Sequence, residues 1–140
     1  MLSSRNILNV KIVDVKTSEL ISLVYAKLEN NKIFKALITS DSAKELELKP
    51  NNNALMIFKA GSIVVAKNDC KVKTSSANEL NGNIKSIQEG SVYVVIDIDC
   101  DGILLTASIT MQSYEKMKLK IGDNVNLLIK ATNVMVGIKE

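Results

Sequence analysis

Histidine and tryptophan are both missing from this chain of 140 residues, and cysteine occurs only twice. Without histidine, the Ser-His and Cys-His pairs that activate many catalytic nucleophiles are excluded. Cys70 and Cys100 lack the spacing of metal ligands, which argues against a zinc site, and in a reducing compartment we expect both to be free thiols. These absences favour a binding protein over an enzyme.

Aromatic residues, proline and long apolar runs are also scarce. Aromatics make up 4% of the residues and the net charge is only +3, which disfavours a nucleic-acid interface built on base stacking or on a strongly basic stripe. The longest apolar runs, such as ALMIF at 54–58, are far shorter than the roughly 20 residues that cross a bilayer. The first residues, MLSSRNILNVK, lack the pattern of a signal peptide. We therefore expect no membrane contact and a cytoplasmic location.

The most informative feature that is present is an internal repeat. Residues 36–65 align without a gap with residues 107–136, at the offset of 71 positions that separates Thr39 from Thr110. Upstream, SSRN at 3–6 aligns with SSAN at 75–78. The sequence therefore predicts two modules, at 1–68 and 74–140, joined by a linker at 69–73.

Both modules show the same order of predicted elements. Alternating apolar and polar residues predict a first strand at 9–15 and at 81–87, and β-branched runs predict second and third strands after it. SAKELELK and SYEKMKLK each suit one short helix, and further strands follow. The expected fold is mainly all-β, with two tandem OB-like five-stranded β-barrel modules that each carry one short helix. Because modules of this size bury little surface, association between copies would stabilise them.

Three polar segments recur in both modules: a serine-rich start, a Thr-x-x-Ser segment after the third strand, and a Lys-Ala pair followed by small or polar residues. They offer hydroxyl, amide and cationic donors but no general base, which suits the binding of a tetrahedral oxyanion.

Structural interpretations of these residues stay open. Ser42 and Glu45 match the S-x-x-E capping box of a helix start, although the second copy has Lys116 in place of the glutamate. The threonines could be ordinary strand residues, and the lysines could be solvated surface charges.

In this order the segments resemble the Mop, or molbindin, module of the wider TOBE group. SSRN is similar to its Ser-Ala-Arg-Asn start, ITSDS and ITMQS to its Ile-Thr-x-x-Ser segment, and FKAGSIVVA and IKATNVMVG to its Ile-Lys-Ala-Ser ending. The resemblance covers nearly the whole chain twice, as in the tandem di-Mop form.

This resemblance implies binding of molybdate or tungstate for intracellular storage or homeostasis, without catalysis and with no metal bound except as the oxyanion. It further implies OB-like barrels, a homotrimer of two-module chains, and sites that lie between modules of different subunits. The oxyanion-binding residues that it implies are Ser3, Arg5, Thr39, Ser42, Lys59 and Ala60 in the first module, and Ser75, Thr110, Ser113, Lys130, Ala131 and Thr132 in the second.

The chain departs from the family pattern at two positions. Ala77 stands in the second module where the first has Arg5, and Gly61 stands where the second has the hydroxyl of Thr132. An alternative is an oxyanion-sensing module that acts with a separate transcription regulator or transporter ATPase, since the sequence has neither a helix-turn-helix segment nor a phosphate-binding loop motif. An OB-type nucleic-acid binder is the least favoured reading.

Overall fold

The structure, a computed structural model, describes residues 6–140. The first repeat forms strands β1 (Asn6–Thr17), β2 (Ile21–Lys27) and β3 (Ile33–Thr39), helix α1 (Ser40–Glu45), strand β4 (Asn53–Phe58), the 3-10 turn η1 (Ala60–Ser62) and strand β5 (Val64–Lys67). The second repeat forms β6 (Asn78–Glu89), β7 (Tyr93–Cys100), β8 (Ile103–Thr110), α2 (Met111–Met117), β9 (Asn124–Ile129), η2 (Ala131–Asn133) and β10 (Met135–Gly137).

The first strand of each repeat is long because it pairs with two different strands along its length. The start of β1 pairs with β4 and its end pairs with β2, with a register shift between Ile12 and Asp14. β6 divides its pairing between β9 and β7 in the same way, with a shift between Ile84 and Ser86. Such a bulge bends a strand and increases its twist, which suits a curved sheet.

Each sheet includes one strand from the other repeat. The strand orders are β10-β4-β1-β2-β3 and β5-β9-β6-β7-β8. The first compact unit therefore ends at Phe58 and resumes over Lys130–Glu140, and the second is Lys59–Ile129. The sequence predicts that each repeat supplies all five strands of its own barrel. This is wrong for the fifth strand of each repeat, since β5 joins the sheet of the second unit and β10 joins the sheet of the first. β5 and β10 are equivalent in sequence, so the hydrophobic pattern alone could not show which of them pairs with β4.

Each unit has its own apolar core inside a curled sheet. In the first unit β10 comes near β3, and the rings of Phe34 and Phe58 stack with their centroids 5.5 Å apart. In the second unit β5 comes near β8, and the core side chains are aliphatic, including Ile84, Ile98 and Leu127. The predicted fold class, mainly β with two OB-like five-stranded sheets and a short helix in each repeat, is confirmed.

Candidate anion-binding site

The spacing of the Thr-x-x-Ser segment is the spacing of a helix cap. Thr39 ends β3 and caps α1, because its hydroxyl oxygen accepts a hydrogen bond from the Ser42 amide at 3.2 Å. Thr110 ends β8 and caps α2 through the Ser113 amide at 3.1 Å. Each threonine thus satisfies an amide that has no partner inside its helix.

The capping-box interpretation of Ser42 is wrong. Helix α1 begins at Ser40, which makes Ser42 its third residue and Glu45 its last. Thr39 and Ser40 are also residue types that favour the N-cap position, so the sequence pattern could not fix the start of the helix. The two threonines are strand residues, as the alternative interpretation has it, but each also caps the helix that follows. Because both copies have the same cap, the exchange of Glu45 for Lys116 says nothing about ligand binding.

A second hydrogen bond within each segment leaves one serine proton available. The Thr39 hydroxyl donates to the Ser42 oxygen at 2.8 Å, and the Thr110 hydroxyl donates to the Ser113 oxygen at 3.0 Å. Each serine oxygen accepts this bond, so the O–H of the same serine remains available to donate. This O–H has no acceptor among residues 6–140. Each helix start therefore presents one free hydroxyl donor.

Buried hydroxyl groups anchor the start of α1 and were missed by sequence reasoning. Ser40 is buried, lies 2.9 Å from the Ser22 hydroxyl oxygen and donates to the Ser18 carbonyl at 2.8 Å. The equivalent residues of the second repeat are Met111 and Val94, so a search for repeated polar residues could not find this network. A serine at a buried position of β2 is its only sequence signal.

The two Lys-Ala segments form equivalent short turns. Lys59 precedes η1 and Lys130 precedes η2, and each lysine carbonyl accepts a hydrogen bond of 3.0 Å from the third residue of its turn. Both lysine side chains are exposed, and neither makes a hydrogen bond or ion pair within residues 6–140. The amides of the first two residues of each turn also lack an acceptor in that part of the chain. Each turn thus offers one cation and two amide donors.

The structure groups these segments across the repeats. In the first unit η2 lies next to β3, and in the second unit η1 lies next to β8. Each Lys-Ala turn therefore lies in the same unit as the Thr-x-x-Ser segment of the other repeat, because each turn directly precedes an exchanged strand. The first unit holds Thr39 and Ser42 with Lys130, Ala131 and Thr132, and the second holds Ser75, Thr110 and Ser113 with Lys59 and Ala60.

The serine-rich start is seen only in the second repeat, since Ser3 and Arg5 lie outside the described residues. There the Ser76 hydroxyl lies 3.1 Å from the Ile129 carbonyl, to which it donates. This bond ties the approach to β6 to the end of β9. Ser75 and Ala77 flank Ser76 and are exposed, and Ala77 provides no cation.

A tyrosine on the second helix has a shifted pKa. The pKa of the Tyr114 phenol on α2 is raised above its ordinary value, first by partial desolvation and then by the Glu89 carboxylate, which accepts its hydrogen bond. Cys70 is exposed, Cys100 is buried, and neither forms a disulfide, in agreement with the expectation from the sequence. Across residues 6–140, no cluster of histidine, cysteine or carboxylate side chains is suited to a metal ion, and no helix is long and apolar enough to span a bilayer.

Replacing Thr39 by valine should destabilise the protein by about 1 kcal/mol, the usual cost of losing a helix cap. Valine keeps the shape and the extended backbone of the residue but cannot accept the Ser42 amide. Thr132→Val is a matched control, because the exposed Thr132 makes no side-chain hydrogen bond within residues 6–140. Urea unfolding measures both. Equal stability of the two variants would contradict the capping role.

Comparisons with known proteins agree with this architecture. The family model of the TOBE domain matches residues 2–65 and again 74–136. A probable molybdenum-pterin-binding protein of Haemophilus influenzae is 35% identical over 69 residues, which are 49% of this chain and 100% of that protein. The molybdenum transport protein ModE of Herbaspirillum seropedicae is 23% identical over 99% of this chain, and the molybdenum-pterin-binding protein MopB of Rhodobacter capsulatus is 26% identical over 97% of it. The chain spans about half the length of these last two relatives, 52% and 51%.

A solved structure shares the complete fold. The cytoplasmic molybdate-binding protein ModG, crystallised with molybdate bound, superposes with a TM-score of 0.94 at 24% sequence identity, over 99% of each chain. At this level of identity the likeness shows the fold alone. Together with the doubled family match, it leads to one conclusion: the chain belongs to the TOBE domain family and carries two copies of the domain.

Proposed function

We propose that this protein binds molybdate or tungstate in the cytoplasm, for storage or homeostasis, and performs no catalysis. The observation that carries the proposal is the donor set of each compact unit: a lysine, two free amides and a serine hydroxyl, brought into one unit by strand exchange. The printed names of the relatives, which refer to molybdenum, support the choice of anion.

The chemistry of these donors fits a tetrahedral oxyanion. Molybdate and tungstate carry two negative charges and no proton at neutral pH, so they need donors and no acceptor. Charge-assisted bonds from Lys59 and Lys130 are expected to be the strongest single contacts, while amides and hydroxyls complete the coordination. Monohydrogen phosphate carries a proton that must itself be donated, and this set of lysine, amide and hydroxyl donors offers no acceptor for it.

The two kinds of site should differ in affinity. The two repeats contribute different sets of ligands. The second repeat has Ala77 where the first has Arg5, and the first repeat has Gly61 where the second has Thr132 with its hydroxyl. The sites without a guanidinium depend on lysine and amide donors, and we expect them to bind the anion more weakly.

Replacing Ser42 or Ser113 by alanine should weaken molybdate binding about 5- to 10-fold at one kind of site, the value of one hydrogen bond. Stability should change little, because the cap to the serine amide remains and only the exposed hydrogen bond between the two hydroxyl groups is lost. Calorimetric titration with molybdate, next to urea unfolding of the same variants, measures both quantities. Unchanged affinity in both variants would remove these hydroxyls from the site.

We also propose that copies of the chain associate, as a trimer in the form that the family resemblance implies. Large apolar side chains are exposed at equivalent positions of both repeats. Exposed apolar patches of this kind mark surfaces that are buried on association. These pairs are Leu20 and Val92, Ile21 and Tyr93, and Val64 and Met135, each between 48% and 76% exposed. Light scattering coupled to gel filtration should give three times the chain mass; a monomer at micromolar concentration would contradict association.

The function is tested by equilibrium dialysis of the purified protein against molybdate, and in parallel against tungstate, in sulfate buffer. Elemental analysis should find molybdenum or tungsten retained in a fixed ratio to the protein. Excess sulfate should not displace it. If neither element is retained above its level in the buffer, the proposal is wrong.

A second candidate function follows from the length of the relatives. Because the chain spans 52% of the ModE relative, the same pair of domains could sense the oxyanion on behalf of a separate regulator or transporter ATPase. Affinity purification of the tagged protein from its own cells, with and without molybdate, tests this. A DNA-binding or ATPase subunit that is retained only in one condition would favour sensing over storage.

A further inference from the structure

The first compact unit contains a groove that involves none of the residues discussed as oxyanion ligands. Its volume is about 770 Å³, within the range of small-molecule sites. Strands β1, β2 and β4, the β2–β3 loop and the segment after β10 form its walls. Its polar lining consists of three lysines, three asparagines and one glutamate: Lys11, Lys27, Lys139, Asn9, Asn31, Asn53 and Glu29.

Two of these lysines oppose each other directly. Lys11 on β1 and Lys27 on β2 are register partners, and both are exposed. Like charges at directly opposed positions destabilise a sheet. Neither lysine makes an ion pair within residues 6–140, and Glu29, the carboxylate of the lining, pairs with neither. No carboxylate in residues 6–140 therefore compensates the repulsion between the two lysines.

The second unit shows that the barrel does not require this cationic pair. There the equivalent register partners are Asn83 and Asp99. Asn83 belongs to a closed set of asparagine side chains, with Asn81 donating to Asn124 at 2.8 Å and Asn124 donating to Asn83 at 3.0 Å. The same sheet position is thus neutral or acidic in one unit and doubly cationic in the other.

We propose that this groove binds a small organic compound that carries two or more phosphate groups, such as a nucleoside diphosphate. Opposed residues of an antiparallel pair have Cα atoms about 5 Å apart, so Lys11 and Lys27 can neutralise adjacent phosphate groups. Lys139 adds a third cation, and the asparagine amides can bond the organic part. The groove is much larger than a single tetrahedral oxyanion requires, and its lining contains no aromatic ring for stacking.

Calorimetric titration of the full protein with ADP and with pyrophosphate tests the proposal. ADP should bind saturably, and Lys11→Asn and Lys27→Asn should each weaken its binding at least tenfold. Lys49→Asn is the matched control, since this exposed lysine lies outside the groove and should leave ADP binding unchanged. ADP should bind more tightly than pyrophosphate, because the organic part also occupies the groove; pyrophosphate binding as tight as that of ADP would overturn the proposal of an organic ligand.

A second readout separates loss of the ligand site from loss of the fold. Without ligand, Lys11→Asn and Lys27→Asn should keep or raise Tm, because each removes the repulsion. ADP should raise Tm of the unaltered protein but not of these variants, and molybdate binding should persist in both. The proposal is overturned if neither ADP nor pyrophosphate binds saturably, if both variants bind ADP normally, or if Lys49→Asn weakens ADP binding equally.

Discussion

Replacing both Lys59 and Lys130 by alanine is expected to abolish tight molybdate binding while the fold persists. A hydrogen bond to a charged group contributes about 1.5–3 kcal/mol, which corresponds to a loss of roughly 10- to 100-fold in affinity at each site. Each single variant should weaken a different subset of sites, because the lysines lie in different compact units. Both side chains are exposed, so stability should change by no more than about 0.5 kcal/mol.

The chain offers a matched control for this loss of charge. Lys49 and Lys120 occupy equivalent positions of the two repeats and are exposed, but they belong to neither Lys-Ala turn. Alanine at both of these positions removes the same net charge and should leave the affinity and stoichiometry for molybdate unchanged. If the Lys59 and Lys130 double variant also binds molybdate normally, both ligand assignments are wrong.

Gly82→Ala is expected to lower the free energy of unfolding by about 2–3 kcal/mol, in the upper range for overpacking. Gly82 is a buried residue of β6. A Cβ atom there would lie 2.6 Å from the Asp99 carbonyl oxygen, 2.7 Å from Ile98 Cγ2 and 2.8 Å from Cys100 Sγ. Backbone cannot give way as a flexible side chain can, so β7 would have to shift away from β6.

Gly61→Ala provides the contrast, because a Cβ atom at Gly61 meets nothing within 4 Å. Its φ is not positive, so alanine should be tolerated and could even stabilise the protein by a few tenths of a kcal/mol through the unfolded chain. Urea unfolding of the two variants gives the comparison. A Gly82→Ala variant as stable as Gly61→Ala would mean that β6 and β7 do not approach this closely.

Local pattern was sufficient to predict the strands, and the repeat was sufficient to predict that they form two similar sheets. Alternation in β1 and β6 follows from burial of every second residue, which the sequence displays directly. The exchange of β5 and β10 could not be predicted, because equivalent strands present the same pairing groups to β4 and β9. Only the three-dimensional course of the chain after Phe58 decides between the two arrangements.

The polar residues of the candidate site could be found by repetition, but their roles could not. Thr39 and Ser42 stand out because Thr110 and Ser113 repeat them, yet which residue caps the helix depends on where β3 ends. Ser40 was missed because nothing repeats it. The free amides of η1 and η2 carry no side-chain signal, so only the backbone conformation reveals them.

The central claim is that one oxyanion site draws on both repeats, and a double-mutant cycle measures this most directly. Molybdate affinity is determined for Ser42→Ala, for Lys130→Ala and for the two combined, and the same cycle is repeated with Lys59→Ala. Residues of one site couple by about 0.5–3 kcal/mol, whereas distant residues are additive. We predict coupling of Ser42 with Lys130 and additivity with Lys59. Coupling of Ser42 with Lys59 alone would contradict the account and return each site to a single repeat.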